Sequence, residues 1–143
     1  MEENWITTDK SWLYYGVFFN EATRTGLINK AKTLADIPED WTLYGDHMTI
    51  IYNDGKFDSD KELTAMELDN EIFTPKYLKI NSIGISNEAI AFGVSNYETQ
   101  NEHSHITIAV APGSKPVRSN NITEWYPIDS FHVYGSIKKI YRK

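Results

Sequence analysis

The sequence predicts an α+β domain, a mostly antiparallel sheet with few helices. Three observations carry this expectation. Short runs of aromatic and β-branched residues recur along the chain, each closed by Asn, Gly or Pro. One stretch shows a clear apolar spacing of three and four. Two of the runs meet at Ser86-Asn87-Glu88, the pattern of a hairpin.

The first run, SWLYYGVFF at 11–19, reads as a buried core strand stopped by Asn20. Leu27, Ile28, Ala31, Leu34 and Ala35 then recur at helical spacing behind a cap at Asn20 or Thr23, so a helix runs to about Ala35 and Pro38 prevents its continuation. WTLYGDHMTIIY at 41–52 has strand composition and ends in the turn Asn53-Asp54-Gly55. His47 and Thr49 therefore share one strand face. Between 57 and 73 the pattern fits a short helix or an irregular edge strand. Residues 75–86 and 87–94 form the hairpin. In HSHITIAVA at 103–111, alternation sends His103, His105, Thr107 and Ala109 to one side and Ile106, Ile108 and Val110 to the other, and Pro112-Gly113 closes the strand. The polar stretch SKPVRSNNITEWYPID is a long loop before a last strand at 131–141.

At 143 residues, with 41% hydrophobic side chains, the chain fits one domain spanning 1–143. It has no cysteine, which excludes disulfides, thiolate metal sites and a cysteine nucleophile and suits a reducing cytosol. No run approaches the roughly 20 apolar residues of a membrane span, and the start Met1-Glu2-Glu3-Asn4 lacks a signal-peptide pattern. A cytoplasmic protein without a membrane partner is expected. The net charge of −6 argues against binding long nucleic acid non-specifically, which requires many phosphate-neutralising cations. A small anionic substrate in a local pocket remains compatible. Oligomeric state is left open.

Two of the four histidines are followed two places later by threonine: His47-x-Thr49 and His105-x-Thr107. Their surroundings echo one another, with DHMTII at 46–51 against SHITIA at 104–109, which suggests two pseudo-equivalent lobes. On a strand, a spacing of two sets an imidazole and a hydroxyl about 7 Å apart along one face, enough to span a phosphate. One neutral imidazole can take a proton from an attacking hydroxyl while the other, protonated, supplies the leaving oxygen. The threonines can bind the non-bridging oxygens. Two other readings stand beside this one: a half-buried strand with a polar open face, and a metal site built on His103 and His105, for which no third ligand at ordinary spacing is evident.

Two H-x-T motifs 58 positions apart in a small α+β chain resemble the 2H phosphoesterase superfamily, whose fold is two pseudo-symmetric lobes around a central cleft. YYGVFF, WTLYGDHMTIIY, HSHITIAVAPGSKPVRSNNITEWYPI and FHVYGSIKKI are further similar to the phage anti-CBASS phosphodiesterases. The resemblance implies catalytic roles for His47, Thr49, His105 and Thr107, with no metal and no cofactor. It also implies a cyclic oligonucleotide substrate such as 3′,3′-cGAMP, opened to a linear 3′-phosphate product inside an infected bacterium. An RNA-repair enzyme acting on 2′,3′-cyclic ends and a non-catalytic nucleotide sponge are the alternatives. The chain departs from the family's pattern at Asp46, which strand alternation directs away from His47, and at Arg118, where an acidic residue is expected.

Around these four residues, Tyr14 is expected to line the cleft, since Leu13, Tyr15, Val17 and Phe19 form the more apolar face of their strand. Trp125, in the polar loop, reads as a base-stacking platform or as a cover for the sheet. Asn120 reads as a contact to a base edge or as a turn former. His132 reads as structural. Lys138, Lys139, Arg142 and Lys143 form a basic end, read as solvated.

Overall fold

The structure, a computed structural model, describes residues 11–56 and 58–141. The polar start Met1-Glu2-Glu3-Asn4 and Arg142 and Lys143 of the basic end lie outside these residues. In chain order the elements are β1 (Trp12–Phe18), α1 (Glu21–Leu34), β2 (Thr42–Leu43), β3 (His47–Tyr52), α2 (Ser59–Asp69), β4 (Pro75–Ile85), β5 (Ala89–Val94), β6 (His105–Val110), a 3-10 turn (Pro116–Asn121) and β7 (Trp125–Tyr141). Among the described residues all strand pairings are antiparallel, in one seven-stranded sheet ordered β2-β6-β5-β4-β7-β1-β3. The expected α+β class is therefore observed.

The sheet is curled because of how its edges are joined. β2 and β3, its two edge strands, are consecutive in the chain and are linked by Tyr44, Gly45 and Asp46 alone. Four peptide units reach about 14 Å at most, so the edges cannot lie apart. Tyr44 N–H donates to Ile108 O at 2.7 Å and Gly45 N–H to Thr107 O at 2.8 Å, which carries the β2–β6 ladder onward. Gly45 then takes φ +78°, a conformation glycine adopts without penalty, and turns the chain away from β6. Asp46 O accepts from Phe19 N–H at 2.9 Å and the chain enters β3 beside β1. The expected continuous strand at 41–52 is thus two strands on opposite edges.

A second tie holds β3 near β6. The loop between β5 and β6 crosses to β3, where Gln100 N–H donates to Ile50 O at 2.8 Å and the Gln100 side-chain oxygen accepts from Tyr52 N–H. β3 and β6 each stand second out from the central β4–β7 pair.

One face of the sheet carries the core. Tyr15, Val17, Met48, Ile50, Leu78, Ile80, Phe92, Ile106, Ile108 and Ile137 pack against Leu27, Ile28 and Ala31 of α1 and Ala65 and Leu68 of α2. Asn20 Oδ1 caps α1 by accepting from Thr23 N–H at 2.8 Å. Leu34, at the end of the spacing that predicts this helix, is 41% exposed. The open stretch at 57–73 contains a helix, capped by Asp58 Oδ1 on Lys61 N–H at 2.8 Å. Tyr15 OH donates to Asp69 Oδ1 at 2.5 Å and ties α2 to β1. At the hairpin, Ser86 Oγ accepts from Glu88 and Ala89 N–H, as a serine turn does. The last strand begins at Trp125 rather than 131, because nine register pairs join β7 to β4 from Trp125 to Ser136. None of the described helices is long and apolar enough to cross a membrane.

Candidate active site

The two H-x-T pairs occupy the sheet face opposite the core. In β3, Met48 and Ile50 go inward, which sends His47 and Thr49 the other way; in β6, Ile106 and Ile108 do the same for His105 and Thr107. The edge link and the Gln100 tie bring these strands together. All four side chains line one cavity of about 640 Å³. Tyr14, Asp46 and Asn120 line it as well, with Pro116 and Val117 adding apolar wall from the 3-10 turn.

On the β3 side, His47 Nε2 lies 3.2 Å from Thr49 Oγ1, so the pair is hydrogen-bonded within its own strand. The ring stacks on Phe18, with centroids 4.8 Å apart and planes 15° apart, and on Tyr14 at 5.2 Å and 29°. Phe18 is the cross-strand partner of His47, and Gly16 that of Thr49. A Cβ at Gly16 would stand 2.8 Å from Met48 O, so only glycine lets β1 approach here. Burial, aided by the Asp46 charge, pushes the Tyr14 phenol up, which keeps it a neutral hydroxyl.

Asp46 corrects an expectation. Its carboxylate turns toward His47, with Oδ1 3.3 Å from Nδ1, a charge contact poorly aligned for a hydrogen bond. Strand alternation fails to describe it because Asp46 belongs to the edge link and precedes the first residue of β3. Its carboxyl lies below the usual carboxylate range, chiefly through the contact with the His47 ring, which outweighs the opposing effect of burial.

On the β6 side, the His105 ring donates from Nδ1 to His103 O at 2.7 Å. Burial pushes this imidazole below the ordinary histidine range, and the neighbouring His103 and His47 rings act the same way. Hydrogen bonds to His103 O and to the Asn120 side chain offset part of that effect. Thr107 Oγ1 donates to Ser119 Oγ at 2.9 Å, and Ser119 is 1% exposed. The hydroxyl of this second pair is thus fixed from the 3-10 turn.

His103 and Trp125 do not line the cavity of the four motif residues. The spacing puts His103 on the His105 face of one strand, but β6 begins at His105 and His103 itself lies in a bend before it. Its ring instead stacks on Trp125, centroids 3.8 Å and planes 4° apart. Trp125 opens β7 rather than standing in a polar loop, packs with Ala89, Ala91 and Ile122, and donates its indole N–H to Ile122 O at 3.2 Å. It lies behind His105, 6.4 Å between ring centroids, and lines an adjacent recess that Asn101 and Asn120 connect to the main cavity. The indole covers the sheet on one face and borders that recess at its edge. Arg118 pairs with Glu88 at 3.4 Å and does not line the cavity. His132 stacks on Tyr77 at 4.2 Å, and Lys139 pairs with Asp69 at 3.2 Å.

Among the described residues, no three His, Cys, Asp or Glu side chains gather as a metal-binding group. Residues that sequence reasoning missed are Phe18, Ser119 and Gln100. Phe18 carried a signal, since it shares strand parity with Tyr14 and Gly16; Ser119 and Gln100 reach the site through tertiary contacts that no local pattern encodes. Neither a protein-family model nor a curated protein matches this chain.

The arrangement offers two imidazoles and two hydroxyls on facing strands, with aromatic rings behind each imidazole and few charges. A phosphate between the pairs would meet a proton acceptor, a proton donor and two hydroxyls, with the Thr107 hydroxyl turning from Ser119 to donate to it.

Proposed function

We propose that the chain is a phosphodiesterase of the 2H type that needs no metal and opens 3′,5′-linked cyclic di- or trinucleotides to linear 3′-phosphate products, so countering CBASS immunity from the host cytoplasm. One observation carries this reading: the two H-x-T pairs, 58 positions apart, meet in one cavity with both imidazoles facing it. The equal placement of β3 and β6 about the β4–β7 pair supports the two-lobe arrangement of that superfamily. A cavity of about 640 Å³ with more aromatic than ionic lining suits a nucleotide unit. The net charge of −6 favours a small ligand over an RNA polymer.

In the proposed reaction a ribose 2′-hydroxyl attacks its adjacent 3′-phosphate, the 5′-oxygen leaves, and the resulting 2′,3′-cyclic phosphate is hydrolysed. The test incubates the protein in EDTA with cyclic dinucleotides, cyclic trinucleotides and an RNA bearing a 2′,3′-cyclic end, with products read by chromatography. Linear 3′-phosphates from the cyclic oligonucleotides are expected, with no cleavage of an analogue carrying 2′-O-methyl ribose at every linkage. Cleavage of the RNA end alone would replace the substrate class, and rapid cleavage of the 2′-O-methyl analogue would overturn the mechanism.

A further inference from the structure

The two imidazoles of the cavity are held by unlike partners. His105 gives its Nδ1 proton to the carbonyl of His103 at 2.7 Å. A carbonyl can only accept, so the neutral ring keeps its free lone pair on Nε2. Burial and the nearby His103 and His47 rings all oppose a positive charge on it.

His47 instead stands against a carboxylate, Asp46 Oδ1 at 3.3 Å. Tyr14 and Phe18 face the ring from β1, Thr49 from β3 and His105 from β6. Arg24 of α1 acts on Asp46, and Lys138 of β7 stands over the Phe18 ring at 5.7 Å. Of these groups Asp46 is the one anion, because Tyr14 stays a neutral phenol. A carboxylate beside Nδ1 can only accept, so a proton on Nδ1 has an anionic partner and Nε2 is left to present a proton to the cavity.

We propose that Asp46 is a positioning residue that gives the two histidines fixed and opposite roles, His47 as proton donor and His105 as proton acceptor of the ring-opening step. The assignment rests on the phosphodiesterase reading above. In that step His105 Nε2 takes the 2′-hydroxyl proton, the 2′-oxygen bonds to phosphorus, the bond from phosphorus to the 5′-oxygen breaks, and the departing oxygen takes the proton on His47 Nε2. His47 is then neutral and His105 cationic. During hydrolysis His47 takes a proton from water, the water oxygen bonds to phosphorus, and His105 returns its proton to the departing 2′-oxygen, which restores both rings.

The test compares a cyclic dinucleotide with an analogue carrying sulfur at the 5′-bridging positions, whose thiolate departs without a proton. On the oxygen substrate His47→Ala is expected to lose about 10²- to 10⁴-fold; on the sulfur substrate it should recover to within about tenfold of the wild type. His105→Ala should remain impaired on both. Recovery of His105→Ala in place of His47→Ala overturns the assignment, whereas a wild-type protein that cleaves neither substrate overturns the phosphodiesterase reading itself. Asp46→Asn is expected to move the alkaline limb of the kcat profile to lower pH, with partial restoration in Asp46→Glu. An NMR titration of the His47 ring reads the same displacement without turnover. A folded Asp46→Asn protein whose His47 titration and alkaline limb coincide with those of the wild type removes Asp46 from this role.

Discussion

Thr49 and Thr107 occupy matching places in their motifs yet carry different structural duties. Thr49 bonds the imidazole of its own pair, while Thr107 donates to Ser119, which is buried. Thr107→Val leaves the Ser119 hydroxyl without that partner, so it should cost about 1–3 kcal/mol of stability in denaturant titrations, with a smaller loss for Thr49→Val. Both variants should lose turnover, because in the proposed reaction each removes a hydroxyl that would bind the phosphate. Equal stability of the two would contradict the asymmetry. His105 makes a separate prediction about pH. Its imidazole lies below the ordinary range when folded, so as pH falls below about 6.5 the unfolded chain takes up a proton that the folded chain refuses. Stability should therefore fall between pH 7 and pH 5, and His105→Gln should flatten that fall in urea midpoints measured across the window. The cavity-lining face of each motif was legible from alternation alone, since the neighbours Met48, Ile50, Ile106 and Ile108 are apolar. The direction of Asp46 and the place of His103 were not, because both lie just before their strands, where alternation has no force.

The edge link is the element on which the geometry of the cavity turns. Gly45 adopts φ +78°, and a Cβ there would stand 3.4 Å from Ile28 Cγ1 of α1. Gly45→Ala should destabilise the protein by about 1–2 kcal/mol, measured by chemical denaturation, because an L side chain is strained in that region. The same change should lower kcat, since the Gly45–Thr107 backbone bond and the entry into β3 are set by this one turn. A stable Gly45→Ala protein with unaltered kcat would show that the link merely connects. Most strands were readable from their aromatic and β-branched composition. The break inside 41–52 was not, because WTLY and HMTIIY are both good strand sequences and glycine alone marks the junction. For α2 the decisive signals were the Asp58 cap and the acidic first turn of Asp60 and Glu62, which outweigh an indistinct apolar spacing.

Across the whole molecule, the loop between β5 and β6 crosses to β3 through Gln100, a non-covalent tie beside the covalent one at Gly45. Gln100→Ala removes the side-chain bond to Tyr52 N–H and keeps the backbone bond to Ile50 O. A rise in KM of several-fold with a smaller change in kcat is expected if the tie holds the cavity to its width. Unchanged steady-state kinetics would assign the glutamine to the loop alone. The sequence echo revealed two like strands but not their order in the sheet, which depends on where β7 inserts; no local pattern encodes that. β7 lies between β4 and β1, and its pairs Ile137↔Val17 and Tyr126↔Ile83 join segments made early, midway and late. During synthesis the ribosome therefore releases both H-x-T pairs before the strand that unites their halves. Until residues 125–141 emerge, no ladder joins β4 to β1 and only the short β2–β6 ladder and the Gln100 tie connect the two halves, and the long-range pairing that completes the sheet is slow to form. A nascent chain stalled before Trp125 should be protease-sensitive and inert although it already contains all four motif residues, and release of the last strand should switch on compactness and activity together.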